Sequence, residues 1–142
     1  MAAFNKFRAF VEHLAEGVHN FSSDTTCTLT AALSAAANTP VNTNSVLADL
    51  TEISYANLSS RVIPVSASSQ TAGTYTLACT DTVLTASGGS VAAFQFVSIY
   101  NDDPTSPADP LIGWYDYGSA VTLANTETFT LDFGASGLFQ LA

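Results

Sequence analysis

Positive charge is what this 142-residue chain has least of: three basic residues, Lys6, Arg8 and Arg61, stand against twelve acidic ones. A duplex-binding protein neutralises phosphates with Lys and Arg, so direct nucleic-acid binding is not expected. A net charge of −9 likewise disfavours docking on an anionic membrane. No run approaches the ~20 apolar residues needed to cross a bilayer, so the positive mean hydropathy reflects abundant alanine and β-forming residues. A secretory signal is likewise not expected, because Lys6, Arg8, Glu12 and Glu16 interrupt the apolar residues near the start. Without one, the glycosylation sequons at Asn20 and Asn57 are read as chance.

Cysteine is scarce too. Cys27 and Cys79 each fall on the apolar parity of a strand-like stretch, which suits small buried hydrophobes, and their one possible pairing stays open. Histidine is confined to His13 and His19, so a nucleophile in the later chain has no imidazole nearby in sequence. On one continuous helix these two would point about 120° apart, badly placed to share a metal. No phosphate-cradling glycine loop is present; Gly88-Gly89 lies between two strand-like stretches and reads as a hairpin turn.

What is present begins with Phe4, Phe7, Val11, Leu14 and Val18, spaced by threes and fours, with Phe10 widening the stripe. That pattern predicts an amphipathic helical arm over residues 1–24, including the Ser/Asp/Asn/Thr-rich junction that ends it. Its apolar face needs a cover, either the chain's own sheet or a neighbouring subunit.

From residue 25 to 142 the period changes to two. Cys27, Leu29, Ala31 and Leu33 alternate with Thr26, Thr28 and Thr30, a strand with one wet face. Pro64 places Arg61 to Ser66 at a sheet edge or bulge. Tyr75 to Val83 reads as one strand, while Val91 to Asn101, apolar on both parities, reads as a central one. An aromatic strand from Leu111, a short one at Val121–Leu123, a further one to Phe133 and a last one at Leu138–Leu141 complete the set. About seven or eight short strands at roughly 8–12 residue spacing predict a mainly β fold: one domain, an antiparallel β-sandwich or barrel, jelly-roll-like. With 47 % apolar residues the chain has material for a core without disulfides or metal.

Two clusters carry candidate chemistry. Asp102, Asp103 and Asp109 on a proline-rich loop are possible Ca²⁺ ligands without a defined spacing, and more simply a solvated tip. Trp114, Tyr115 and Tyr117 offer a stacking surface for a glycan or partner. No catalytic residue and no cofactor are expected.

The chain resembles small tailed-phage virion proteins. The resemblance rests on Phe4-Asn5-Lys6-Phe7 with Val18-His19-Asn20-Phe21, on Thr85-Ala86-Ser87-Gly88-Gly89, and on Ile99-Tyr100-Asn101-Asp102 leading to Leu111-Ile112-Gly113-Trp114-Tyr115-Asp116-Tyr117-Gly118. It implies a non-enzymatic decoration or cement protein on the phage head, a homo-oligomer expected to be a trimer, bracing the major capsid protein lattice. A tail or neck role, or a glycan-binding module on the virion surface, is the alternative. Phe4, Phe7, Phe10, Val11 and Leu14 are the arm residues expected to make the contacts.

Overall fold

A computed structural model describes residues 2–22 and 27–142. The chain is mainly β, with ten strands among the described residues: β1 (Asn5–Lys6), β2 (Leu29–Ser34), β3 (Val62–Ile63), β4 (Val65–Thr71), β5 (Thr74–Cys79), β6 (Thr82–Thr85), β7 (Phe94–Asn101), β8 (Leu111–Val121), β9 (Thr128–Leu131) and β10 (Phe139–Leu141). One helix, α1 (Ala9–Ala15), follows β1. The strands form antiparallel sheets of five (β1-β8-β7-β2-β3), three (β10-β5-β4) and two (β6-β9). No sheet closes on itself, so the barrel alternative is excluded.

The central position read for Val91 to Asn101 is observed: β7 lies between β8 and β2, and its residues are buried from Phe96 onward. β2 departs from expectation. Every residue from Leu29 to Ser34 is buried, Thr30 included, because Leu47 and Leu50 cover the face of the sheet opposite the main core. Thr26 and the boundary between arm and body lie outside the described residues. Leu47 begins a single 3₁₀ turn, Leu47–Asp49, whose start is tied by amides of Ser45 and Val46 donating to Asp49 Oδ2 at 2.7 and 3.2 Å.

Pro64 sits as expected, between edge strands β3 and β4, with a register break at Val65/Ala67. Tyr75 to Val83 is not one strand. It divides into β5 and β6, which belong to different sheets, and Val83 is 51 % exposed. Gly88-Gly89 is therefore no hairpin: β6 pairs with β9 and β7 with β8, so the turn carries the chain between sheets. A Cβ on Gly89 would lie 2.6 Å from Asn57 Nδ2, so the Asn57 side chain, whose Nδ2 donates to Ser90 O at 3.2 Å, would have to shift to admit one. Val121 is the end of β8 rather than the start of a new strand.

The predicted helix is shorter than its apolar spacing suggested. Asn5 and Lys6 pair with Trp114 and Gly113 as a strand, which puts Phe4 and Phe7 on opposite faces of the sheet. α1 ends in a glycine-terminated Schellman motif: Gly17 takes φ +73°, its amide donates to Leu14 O at 3.2 Å, and the Val18 amide donates to His13 O at 2.9 Å.

Two apolar clusters sandwich the five-stranded sheet. The larger joins β2, β3 and β7 to strands of both smaller sheets through Leu33, Ile63, Leu77, Leu84, Ile99 and Leu131. The smaller holds Phe7, Ala32, Tyr100 and Leu111, with Leu47, Leu50 and Trp114 packed against it. No helix among the described residues is long and apolar enough to cross a membrane.

Candidate functional site

The aromatic run of β8 is divided by strand geometry. Successive side chains leave a strand on opposite faces, so Trp114 turns to Phe7 (ring centroids 4.5 Å) while Tyr115 turns to Phe4 (5.6 Å). Tyr117 shares the Tyr115 side and meets Phe129 of β9 edge-on at 5.3 Å. The three residues expected to form one stacking surface thus form two. Phe4 reaches its place because residue 113 is glycine; a Cβ there would meet the Phe4 ring at 2.3 Å.

Tyr115 and Tyr117 line a cleft of about 480 Å³ between β8 and β9, whose other walls include Val97, Phe129, Leu131 and Phe133. A second hollow of about 440 Å³ shares Ala2, Tyr115 and Phe133 with it and continues past Phe4 and Phe10 to Phe139 and Leu141. Together they make one aromatic groove where the five-stranded sheet meets the smaller sheets. Among the described residues, β1 covers the outer edge of β8 only at Gly113 and Trp114, and β9 pairs only with β6, so strand edges flank the groove. Asp132 lies at one end and Lys6 at the other. Burial, with a smaller contribution from Cys79, pushes the Tyr115 hydroxyl up to about 12, so it stays a neutral donor at physiological pH. Asp116 Oδ1 accepts from Gln95 Nε2 (3.0 Å) and from the Gly118 amide (2.7 Å).

The arm residues separate by exposure. Phe7 and Phe10 are buried against the chain's own body, Phe10 against Phe139 (5.2 Å) and Phe21 (6.3 Å). Phe4 and Leu14 are partly buried against the main core, and Val11 is 51 % exposed. Of the two covers open to the arm's apolar face, this structure uses the chain's own sheets.

No protein-family model, no curated protein and no solved structure matches the chain.

The remaining candidates are placed as follows. The Asp103 carboxylate accepts from the Thr28 amide at 2.8 Å, while Asp109 is raised above the usual carboxylate range by burial and then by a hydrogen bond with Asp102. Two of the three aspartates thus converge and the third is turned to the Thr28 amide just before β2. No group of three or more His, Cys, Asp or Glu able to hold a metal occurs among the described residues. Cys27 and Cys79 are free and half-buried, their thiols pushed up to about 11 and about 12 by burial first, then by Asp103 and by Cys27 respectively. Both remain thiols at neutral pH.

Two arrangements escaped sequence reasoning. Arg61 lies 3.6 Å over the Tyr55 ring and 3.6 Å from Glu52; the Tyr55 hydroxyl donates to Glu52 and accepts from the Leu33 amide at 3.0 Å, and Arg61 donates to Ala31 O. The scarcity of arginine was the signal available. The second is the histidine pair. Because α1 stops at Ala15 and the chain reverses at Gly17, His13 and His19 are not splayed along a helix but meet, ring centroids 5.8 Å apart, both nearly buried.

Proposed function

We propose that the protein is a non-enzymatic virion structural protein of a tailed phage, a decoration protein that binds the major capsid protein and further copies of itself on the head surface. The aromatic groove carries this reading: an apolar trough flanked by strand edges, on a charge-poor acidic surface, suits an extended segment of another protein chain. The resemblance of the sequence landmarks to those of tailed-phage virion proteins is what brings the phage setting into this proposal. In this proposal the body is a jelly-roll-like β-sandwich, a reading supported by one apolar cluster linking all three sheets. Trimerisation and bracing of neighbouring capsomers belong to the same proposal, since many modest contacts per particle add up to a firm lattice. Val11 presents the arm outward, while Phe4, Phe7, Phe10 and Leu14 hold it on the body.

Cryo-electron microscopy of intact particles tests it. Density for this chain bridging capsid subunits on the head is the expected result; density confined to the tail or neck replaces it with a tail role, and absence from the particle overturns both.

A second reading, a glycan-binding module, is favoured by Tyr117, 56 % exposed beside Tyr115 in the groove. It requires saturable polysaccharide binding lost in Tyr117→Ala and retained in Trp114→Ala, because Trp114 faces the other side of the sheet.

A further inference from the structure

His13 and His19 close the N-terminal segment onto the β body. Phe10 of α1 packs on His19 at 5.3 Å, and His19 stacks on Phe21 at 5.0 Å with the rings 12° from parallel. His13 Nδ1 and His19 Nε2 are buried with no hydrogen-bond partner. Among the described residues one polar side chain hydrogen-bonds to His19: fully buried Asn101, at the end of β7, whose Nδ2 donates to His19 Nδ1 at 3.4 Å. Asn101 is held in that orientation, because its Oδ1 already accepts from the Asp103 amide at 3.2 Å. Neutral His19 therefore uses Nδ1 as acceptor and carries its proton on Nε2.

This is an arrangement built for the neutral ring. A second proton would go to Nδ1, where it would face the Asn101 NH₂ group, donor against donor. Turning Asn101 over to offer its oxygen would break the bond to Asp103. The other proton, on Nε2, has no acceptor among the described residues, and none of them brings a carboxylate within hydrogen-bond reach to offset a buried cation. Glu12 on α1 and Glu16 just after it are exposed, Asp103 Oδ2 accepts from the Thr28 amide, and β5 and β10 contribute neutral Tyr75 and Phe139.

We propose that His19, packed against His13, is a proton-operated latch: neutral, it holds α1 and residues 16–21 on the β body; protonated, it releases them and uncovers Phe10, Phe21 and Phe139. Phe10 and Phe139 also line the groove, so release would widen the surface offered to a partner.

The sign follows from where His19 titrates. Burial first, then His13, lower it from 6.5 to about 4. As pH falls below 6.5 the released segment takes up a proton that the docked one refuses, so docking weakens down to about pH 4 and is flat above 6.5. One such group makes release about 10-fold more favourable per pH unit, roughly 30-fold from about pH 7.5 to about pH 5.

The experiment is amide hydrogen exchange across residues 9–21, corrected for the intrinsic pH dependence of exchange, with chelator present throughout and the β7 amides as internal reference. The expected result is a roughly 30-fold rise in the opening constant of α1 over that range, with β7 unchanged, and its loss in His19→Phe, which keeps the ring stack without the titration. A rise below about threefold, or one that survives His19→Phe, overturns the latch. Should His19→Phe fail to fold, the unmodified chain still decides: an imidazole NMR titration in which His19 protonates near 6.5 overturns it, and one in which it stays neutral to about 4 supports it. Asn101→Asp supplies the missing acceptor and reverses the effect, raising the His19 titration and removing the acid release; a titration left where it was overturns the role given to Asn101.

Discussion

The two faces of the five-stranded sheet are finished in different ways. One is covered mainly by other sheets, so that Phe94, Leu33 and Ile99 pack with Leu77, Leu84 and Leu131 of β5, β6 and β9 in one cluster. The other is covered by a loop and by single aromatic residues, with Phe7, Leu47, Leu50 and Trp114 over Ala32, Tyr100 and Leu111. Both exclude water at their centres, yet they differ in how far they can yield. A gap between hydrogen-bonded sheets closes only if sheets move; a gap under a loop closes when the loop settles.

Substitutions sharpen that contrast. Phe94→Ala, in the sheet-covered cluster, is expected to lower unfolding stability by about 3–5 kcal/mol in chemical denaturation, a large share of a domain's usual total. Phe7→Ala removes the same side chain from the loop-covered face and should cost about 1 kcal/mol less, because the 3₁₀ turn can close over the space; equal losses would break the comparison. Tyr55→Phe, between loop and sheet, takes the acceptor from the Leu33 amide and the donor from Glu52, and about 1–2 kcal/mol should be lost with the fold intact by circular dichroism. Tyr117→Ala, at the rim of the groove, should change stability by less than about 0.5 kcal/mol while weakening particle binding; a large stability loss would make Tyr117 part of the core instead.

The sheet-covered face was the more legible in sequence. The apolar residues on both parities of Val91 to Asn101 announced a central strand, and Pro64 announced an edge, because each feature answers to local backbone chemistry. The loop-covered face was not legible: nothing in Leu47 or Leu50 says which strand they will cover, and so Thr30 was expected to be wet. At the N-terminus, the spacing of Phe4 and Phe7 suits a helix, but the same residues suit a short strand whose side chains divide between two faces. A partner strand more than a hundred residues away decided for the strand. The groove was half legible. Tyr115 and Tyr117 were picked out by type, whereas their separation from Trp114 and their meeting with Phe129 depend on which strands lie opposite. The histidine pair was hidden by one conformation at Gly17, which ends the helix that would have kept the rings apart.

The short strand Asn5–Lys6 has a further consequence for how the chain is made. Its partner residues in β8 and the Phe139 that receives Phe10 both emerge from the ribosome long after the arm does. The arm, synthesised before its partners, is therefore among the last parts to find its place, and its phenylalanines remain uncovered while most of the body is being translated. Contacts this distant in sequence fold slowly. During that interval the arm is open to capture, by a chaperone or by the body of another nascent copy.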